Sequence, residues 1–428
     1  MRKVILASAS PRRQDLLARI LYPYTIVPAD IDESPQVGES PEDYVHRLAR
    51  SKALAVSADY PAHAVLGADT IVVLDGELLG KPRDPEHALR MLHRLAGREH
   101  EVHTGVAWAL NAQVRRSGHF TSRVRLRAGS DQELADYVAT GEPLDKAGSY
   151  AIQGEAGSLV TSVEGSVTNV IGLPVAETEK MARSLGLEAP AAPLPPEAVE
   201  RRFRATQGEI QATAAANGRL MDDVRLITVI KGLPVELAQA AVRAGATDLG
   251  ENYVQEAQAK RALIPEGPRW HLIGPLQSNK AKIAAGSFDL VHTISSEKTA
   301  RALARHGAAL GATPQRMLLQ VNVSGDPSKA GVAPEALQVL AESLRSHGDI
   351  CVDGLMTIGR QGVGSDVTRR SFADLSSCLQ DLRRRELVVG STLSMGMSGD
   401  YGLAIAEGAT MVRLGTAILG SRPPREGA

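Results

Sequence analysis

A proline-rich stretch at residues 188–196 constrains the fold of this chain more than any other feature. It reads Glu-Ala-Pro-Ala-Ala-Pro-Leu-Pro-Pro, with four prolines in nine positions. Because each proline fixes its own φ angle and lacks a backbone N–H, the run cannot enter a helix interior or the middle of a sheet. The pattern is typical of an extended, semi-rigid spacer, and a surface loop within one domain is the alternative interpretation.

The segments on either side, residues 1–187 and 197–428, are each long enough to bury a hydrophobic core. We therefore predict two domains joined by a linker at 188–196. The first residues of the second domain, from Pro196 to about Asn217-Gly218, are predicted to form a helix.

Composition excludes several function classes. The 48 Lys and Arg residues balance 49 Asp and Glu residues, so no global attraction to a nucleic acid polymer or a membrane surface is expected. The two cysteines, Cys351 and Cys378, lack the spacing of zinc ligands or of a disulfide framework. The opening apolar run is too short for a signal peptide or a membrane span, so we expect a soluble, cytoplasmic protein.

The first domain opens with a short apolar strand, Val4 to Leu6, and a loop of small residues that leads into a helix from Gln14 to Leu21. Free N–H groups at a helix start favour an anion, and the forked donors of Arg12 and Arg13 suit phosphate oxygens. Paired arginines that are merely solvated are the alternative.

Further along, an apolar strand is predicted to end in Gly67-Ala68-Asp69-Thr70. A carboxylate at the end of a buried strand needs a partner or a metal, and structural capping is the alternative role for Asp69. Lys81 lies in a constrained Gly-Lys-Pro loop. His100 and His103 are three apart on a predicted strand and point to opposite sides, so they are not expected to be ligands.

Six blocks of the first domain together resemble the Maf-type nucleotide pyrophosphatases, in that family's order. The blocks are ASASPRR at 7–13, Asp32-Glu33, RSKA at 50–53, GADT at 67–70, GKP at 80–82 and the stretch GEPLDKAGSYAIQG at 141–154. The resemblance covers essentially all of residues 1–187. It implies a mixed α/β, two-lobed domain with a deep cleft that cleaves nucleoside triphosphates to a monophosphate and pyrophosphate. Where the family leads us to expect a Phe-Pro-Leu-like run, this chain has Arg127-Ala128-Gly129.

The resemblance also implies roles for individual residues. Asp69 would act as general base or metal-bound carboxylate, and Glu33 would help to hold a divalent metal, Mg²⁺ or Mn²⁺. The phosphates would be clamped by Arg13, Lys52 and Lys81, with Ser8 and Arg12 in the same loop, while Gln153 would read the base or sugar. The sequence around Gln153 is similar to the dTTP/UTP branch of this family rather than to its methyl-GTP branch. If the chain self-associates, we expect a homodimer through this domain.

Eight strand-like runs alternate with amphipathic helices in the second domain, which is the pattern of a (β/α)₈ TIM-type barrel. The predicted strands are Leu226–Ile230, Asp248–Gly250, Arg269–Ile273, Leu290–Thr293, Leu318–Val323, Val352–Leu355, Leu387–Val389 and Met411–Leu414. Lys231 lies at the end of the first strand, and small residues follow the seventh and eighth. A phosphate cradle opposite a strand-end lysine indicates pyridoxal phosphate bound as a Schiff base.

Five blocks of the second domain resemble the pyridoxal-phosphate homeostasis proteins. They are LGENYVQE at 249–256, WHLIGPLQSNK at 270–280, QVNVSGDPSKAG at 320–331, GLMTIG at 354–359 and LSMGMSGD at 393–400. The resemblance implies a barrel similar to the N-terminal domain of alanine racemase. It also implies that Arg413 faces the pyridine nitrogen, that Asn252 and His271 are wall residues, and that Ser394, Gly415 and Thr416 hold the phosphate.

Two features favour cofactor binding and buffering over turnover in the second domain. The sequence shows no further domain to supply the tyrosine base of racemases, and Ile230 and Gly232 stand where serine and threonine are expected. We therefore interpret the chain as a bifunctional fusion. The alternatives are an active racemase or lyase in the second domain, or two non-catalytic ligand sensors or scaffolds.

Overall fold

The computed structural model describes residues 2–21, 23–187, 194–264, 267–311, 315–323, 330–348, 350–359 and 364–420. Most of the predicted linker, residues 188–193, lies outside these described residues. The chain forms two compact units. The first comprises Met1–Ala192 and Arg204–Asp222, and the second comprises Pro193–Phe203 and Asp223–Ala428. The helix predicted to begin at Pro196 does so, and its later residues belong to the first unit.

The first unit is a mixed α/β structure, as predicted. Its strands are β1 (Val4–Leu6), β2 (Tyr24–Ile26), β3 (Ala64–Leu74), β4 (Glu77–Leu79), β5 (Glu99–Leu110), β6 (Gln113–Leu126) and β7 (Val160–Glu164). Its helices are α1 (Pro11–Ile20), α2 (Pro41–Asp59), α3 (Pro85–Leu95), α4 (Asp131–Ala139), α5 (Val167–Ile171), α6 (Val175–Ser184) and the later part of α7 (Pro196–Ala216). Short 3-10 helices lie at Glu142–Asp145, Ala147–Ser149 and Glu155–Leu159.

A gap along one edge of β3 creates room for a site in the seven-stranded sheet, whose order is β2-β1-β3-β5-β6-β7 with β4 paired to β3. On one edge β5 pairs antiparallel with β3 from Ala64 to Val73. On the other edge β1 pairs in parallel with Ala64–Leu66, and β4 pairs with Val72–Leu74. Asp69 therefore lies in the middle of a long strand, beside this gap, and the expectation that its strand ends there is wrong. The strand continues because the antiparallel partner β5 pairs with it throughout.

Two glycines allow helix α2 to lie directly on this sheet. A Cβ atom on Gly67 would come 2.2 Å from the carbonyl oxygen of Ala49, and one on Gly105 would come 2.1 Å from that of Val45. Ala49 and Ala53 flank Lys52 on α2, so the close approach brings this lysine next to β3. The glycine of the GADT block is thus explained by helix packing.

The second unit is a closed barrel of parallel strands, which confirms the predicted fold class. Its strands are β8 (Arg225–Val229), β9 (Asp248–Glu251), β10 (Arg269–Leu272), β11 (Leu290–Ile294), β12 (Gln315–Gln320), β13 (Ile350–Met356), β14 (Thr392–Ser394) and β15 (Met411–Leu414). Its helices are α8 (Val235–Arg243), α9 (Val254–Arg261), α10 (Ala281–Ala284), α11 (Glu297–Ala309), α12 (Pro334–Arg345), α13 (Ser365–Arg384), α14 (Tyr401–Ala406) and α15 (Thr416–Leu419). Within the described segments, none of the helices of either unit is both long and apolar enough to cross a bilayer.

The seventh barrel strand is Thr392–Ser394, so the prediction that Leu387–Val389 forms it is wrong. The predicted residues instead lead away from helix α13. Glu386 has a positive φ of 56°, and the Leu387 N–H donates back to the Leu382 carbonyl. This is the Schellman type of helix end, in which an apolar residue after the last turn packs back on the helix. Such an apolar residue looks like a short strand in sequence.

We predict that Gly67→Ala destabilises the first unit by about 1–3 kcal/mol, the usual cost of forcing a methyl group into a packed interior. The methyl group would meet the α2 backbone, which cannot move aside as a side-chain tip can. Urea unfolding followed by Trp108 fluorescence, with Trp270 replaced by phenylalanine, measures the effect. Gly80→Ala is the control, because a Cβ atom there meets nothing within 4 Å. Equal free energies of unfolding for the two variants would contradict this packing argument.

Candidate functional sites

A cavity of about 650 Å³ lies beside the gap between β1 and β4. The loop after β1, the start of α1, the middle of β3 and the loops around 80 and 145–153 contribute its walls. All eight residues predicted for the first site line it, namely Ser8, Arg12, Arg13, Glu33, Lys52, Asp69, Lys81 and Gln153. The volume is in the range of ordinary ligand pockets.

A lysine bridges two carboxylates at the centre of this cavity. The Lys52 ammonium donates to Asp69 Oδ1 at 2.6 Å and lies 2.8 Å from Glu33 Oε1. Lys52 and Asp69 are both buried, with 7% and 8% of their surface exposed. A buried carboxylate needs such a partner to remain ionised. The ion pair holds the Asp69 carboxylate at the cavity wall, which is more than a strand cap requires.

Arg13 is held in place by three hydrogen bonds from its guanidinium group. Its Nε donates to the Gly172 carbonyl at 2.9 Å, and its two terminal nitrogens donate to Thr70 Oγ1 at 3.0 Å and Ser8 Oγ at 3.3 Å. Burial lowers the pKa of Arg13, and the nearby Asp69 charge opposes that shift. The guanidinium is thus preorganised at the cavity wall, with its positive charge facing the cavity.

The cavity wall carries more positive than negative charge. Apart from two tyrosines, Tyr44 and Tyr150, its ionisable side chains are five cations and three carboxylates. The cations are Arg12, Arg13, Lys52, Lys81 and Lys146, and the carboxylates are Glu33, Asp69 and Asp145. Such a wall suits a polyanion with several phosphate groups, whose charge the lysines and arginines would neutralise.

Tyr44 is a cavity residue that the sequence did not reveal. Its hydroxyl donates to the Glu33 carbonyl at 2.9 Å and thereby fixes the loop that carries this carboxylate. Burial raises the pKa of Tyr44 to about 12, with the charges of Asp69 and Glu33 adding to the effect. The hydroxyl therefore stays protonated and donating. The helical spacing of Tyr44 and Lys52, eight residues apart on α2, is the signal that could have found it.

Two histidines of the first unit, His100 and His103, make hydrogen-bond contacts within the fold. His100 is buried, and its Nε2 lies 2.8 Å from the Tyr150 hydroxyl. His103 contacts Thr121 through Nδ1 and Glu101 through Nε2. Over the residues that the structure describes, no group of three or more His, Cys, Asp or Glu side chains forms a metal cluster.

The second unit has a cavity of about 510 Å³ at the carboxyl ends of the barrel strands. Five of the seven residues predicted for this site line it, namely Lys231, Asn252, Arg413, Gly415 and Thr416. Thr368 is a lining residue that sequence reasoning missed, whereas Ile358 and the Met397–Asp400 loop belong to the GLMTIG and LSMGMSGD blocks. This is the end at which TIM-type barrels carry their ligand sites.

The loop that carries Lys231 is held by charged residues from α9. Lys260 pairs with the buried Glu251 and also donates to the Ile230 carbonyl at 2.7 Å. On the other side of Lys231, the Gly232 N–H donates to Glu256 at 2.9 Å. Gly232 adopts a φ of +64°, a conformation in which a threonine would be strained. This loop is therefore fixed by Glu256 and Lys260, and not by the hydroxyl groups expected at positions 230 and 232.

A chain of hydrogen bonds crosses the barrel interior and ends at Arg413. This guanidinium donates to Ser394 Oγ at 2.6 Å, and Ser394 is 2.9 Å from His292 Nδ1. His292 Nε2 is 3.0 Å from His271 Nδ1, and His271 Nε2 is 2.8 Å from Asp248. Burial, followed by the charges of His271 and Arg413, keeps the pKa of His292 well below its usual value. A neutral His292 accepts from Ser394 and donates to His271, so every contact in the chain is satisfied.

This chain of hydrogen bonds includes two of the residues predicted for the site. Ser394 and His271 are fully buried beneath the cavity and are absent from its wall. The Ser394 hydroxyl is shared between Arg413 and His292. Arg413 does reach the cavity, and burial lowers its pKa to about 10. The guanidinium therefore presents a positive charge that is fixed from below.

Two loops at the barrel end form a cradle for an anion. The loop after β14 contributes Ser398 and Gly399, and the one after β15 contributes Gly415 and Thr416 at the start of α15. The Ala417 N–H donates to Ser398 Oγ at 3.3 Å and ties the loops together. Loops after strands seven and eight with a short extra helix are the usual phosphate site of this barrel.

The buried Asn252 amide oxygen adds a ligand-directed group to this cavity. In the described part of the chain it has no hydrogen-bond partner, although Asn252 lines the cavity wall. A buried acceptor without a partner costs free energy unless a ligand or water satisfies it. Together with the cradle and Lys231, it fits a phosphorylated aldehyde cofactor with further polar groups on its ring.

We predict that acid destabilises the first unit through His100. Burial lowers the pKa of His100 to about 4, whereas an unfolded histidine has a pKa near 6.5. Between these values the unfolded state binds a proton that the folded state rejects, so stability falls by about 2–3 kcal/mol as pH drops from 6.5 to 4.5. Urea unfolding at both pH values should show a smaller loss in His100→Gln, and His93→Gln is the exposed control. Parallel pH profiles for wild type and His100→Gln would rule this out.

Comparisons with known proteins match each half of the chain to a family. The Maf-like protein family matches residues 3–185, and the family of the alanine racemase N-terminal domain matches residues 209–423. The dTTP/UTP pyrophosphatase of Myxococcus xanthus is 52% identical over 187 residues, which cover 44% of this chain and 94% of that protein.

Solved structures resemble the second half of the chain. PipY of Synechococcus elongatus without PLP is 37% identical, with a TM-score of 0.45, and covers 49% of this chain and 100% of that one. The same protein with PLP bound gives 34% identity, a TM-score of 0.47, and covers 52% of this chain and 100% of that one. By its two family matches, the chain belongs to the Maf-like proteins in its first half and to the alanine racemase N-terminal domain family in its second.

Proposed function

We propose that the first unit hydrolyses nucleoside triphosphates, with a preference for dTTP and UTP, to the monophosphate and pyrophosphate. The observation that carries this proposal is the buried Lys52 between Asp69 and Glu33, in a cavity whose wall is otherwise rich in cations. The family of the first half and its dTTP/UTP pyrophosphatase relative support the same activity.

Phosphate binding falls to the basic residues around the cavity. Arg13 is fixed by its three hydrogen bonds, Arg12 lies beside it at the start of α1, and Lys81 approaches from the loop after β4. These cations neutralise the charge of the triphosphate and stabilise the negative charge that develops on the leaving pyrophosphate. Ser8 holds Arg13 and lies at the base of the same loop.

Asp69 is the proposed general base. Hydrolysis breaks one phosphoanhydride bond, and the attacking water adds a hydroxyl to phosphorus and gives up one proton. Asp69 is the carboxylate placed in the cavity to accept that proton, and the contact with Lys52 fixes its orientation. The pyrophosphate then leaves with the charge that the arginines and lysines stabilise.

The residues present also fit a divalent metal. Asp69 and Glu33 direct oxygens to the same ammonium group, so the two carboxylates are close enough to share one cation. Mg²⁺ commonly binds through one or two carboxylates together with substrate phosphates and water. Asp69 and Glu33 would hold such an ion, which would supply charge stabilisation at the phosphates.

Asp69→Asn should lower kcat for dTTP and UTP by about 10²-fold or more, because a positioned base contributes on that scale. Pyrophosphate release with Mg²⁺ or Mn²⁺ measures this. Asp32→Asn is the control, since Asp32 is an acidic residue next to Glu33 that does not line the cavity. Near-normal turnover in Asp69→Asn would contradict the role of Asp69 as general base. Full activity in excess chelator would contradict the role of a divalent metal.

For the second unit we propose pyridoxal phosphate binding and homeostasis without turnover of its own. The cradle of Ser398, Gly415 and Thr416 would hold the phosphate, and Lys231 would be the attachment residue. Asn252 would offer its buried acceptor to a polar group of the cofactor, and Arg413 would lie at the ring nitrogen. When bound, the cofactor supplies an electrophilic aldehyde and an electron-withdrawing ring. A cation opposite the ring nitrogen disfavours its protonation and thereby weakens the ring as an electron sink.

Purified protein should be yellow and Lys231→Ala colourless, because a cofactor linked to a lysine absorbs at longer wavelength than the free aldehyde. After borohydride reduction, the tryptic peptide with Lys231 should carry the cofactor mass. Lys280→Ala is the control lysine, since it lies outside the cavity wall. A missing label with phosphate-dependent binding retained would refute the role of Lys231. Conversion of L- to D-alanine that vanishes in Lys231→Ala would refute the absence of turnover.

A further inference from the structure

A small cavity of about 290 Å³ adjoins the active-site cavity within the first unit. The two cavities share Arg12 and Gln153 as walls. Opposite these residues, the small cavity is bounded by one face of helix α7, with Arg204, Ala205, Gln207, Gly208 and Gln211. The predicted nucleotide-reading side chain thus has the substrate cavity on one side and α7 on the other.

The later part of α7 packs firmly on the first unit. Ala205, Ala212 and Ala215 are buried in that unit's main hydrophobic core, at helical spacings of seven and three residues. Glu209 forms an ion pair with Arg19 of α1. Small side chains let the helix approach closely, so this part of α7 is a fixed wall of the first unit.

Gly208 is unusual because it is a buried glycine in the interior of a 21-residue helix. Glycine costs about 1 kcal/mol relative to alanine at such a position. Its backbone is not in the left-handed region, so the local conformation does not require glycine. A Cβ atom there would lie 2.3 Å from Gln153 Nε2 and 3.0 Å from its Cδ. A larger residue at 208 would therefore require the side-chain amide of Gln153 to move.

We propose that helix α7 sets the nucleotide selectivity of the first unit by holding the Gln153 amide in place, and that Gly208 is the positioning residue that allows this contact. The inference rests on the proposed hydrolysis of nucleoside triphosphates. The helix follows the proline-rich linker and lies beyond residues 3–185, where the Maf-like family match ends. Selectivity in this chain then depends on a segment outside the matched pyrophosphatase region.

Gly208→Ala in the full chain tests the proposal, because the added methyl group displaces the flexible end of Gln153 while alanine favours the helix. The KM for dTTP and UTP should rise about 3- to 10-fold relative to that for methyl-GTP, the scale of one hydrogen bond, with kcat nearly unchanged. Gln153→Ala should raise KM by a similar factor. The double variant should resemble either single variant, since both changes remove the same contact.

Thr213→Ala is the matched control, because it changes helix propensity on α7 at a position that lines neither cavity. It should leave both kinetic constants at their wild-type values. Thermal unfolding should show that Gly208→Ala is at least as stable as wild type. A wild-type KM in Gly208→Ala, or additive effects in the double variant, would overturn the proposal. A wild-type protein that released no pyrophosphate from any nucleotide would instead overturn the proposed hydrolysis.

Discussion

The contact between the Lys52 ammonium and the Asp69 carboxylate is the interaction on which the first unit's chemistry depends. It exists because Gly67 lets the α2 backbone lie against β3, and because β1 and β4 leave the neighbouring edge of β3 uncovered. Helix packing and the gap in the sheet thus produce one charged pair facing one cavity. A side chain at 67 would separate the helix from the strand and remove the lysine from the carboxylate.

In the second unit, a longer chain of hydrogen bonds holds a charged side chain, Arg413, at the cavity. A buried guanidinium at Arg413 needs acceptors, and Ser394 and the Thr357 carbonyl provide them. His292 and His271 extend the chain to Asp248 through the barrel interior. Because each donor meets an acceptor, the barrel tolerates this polar core, and the guanidinium faces the cavity in a fixed orientation.

Sequence patterns were most informative where neighbouring residues act together. The block ASASPRR predicted a loop and helix start with anion-binding groups, and the alternation of strands and helices predicted a barrel. Patterns were least informative where distant segments meet. Leu387–Val389 has the apolar composition of a strand but follows the end of a helix. Ser394 was predicted to hold a phosphate, and its hydroxyl accepts a hydrogen bond from Arg413 beneath the cavity. In both cases the deciding partner lies elsewhere in the fold.

The sequence by itself determined the two families, the two fold classes and the residues gathered around the first cavity, because these residues lie in sequence blocks that resemble a known family. Only the tertiary structure decided which of the barrel residues reach the cavity, since burial in a closed barrel depends on all eight strands together. It also decided that helix α7 lies behind Gln153. That contact joins residues more than fifty positions apart, and a linear pattern carries no information about such a distance.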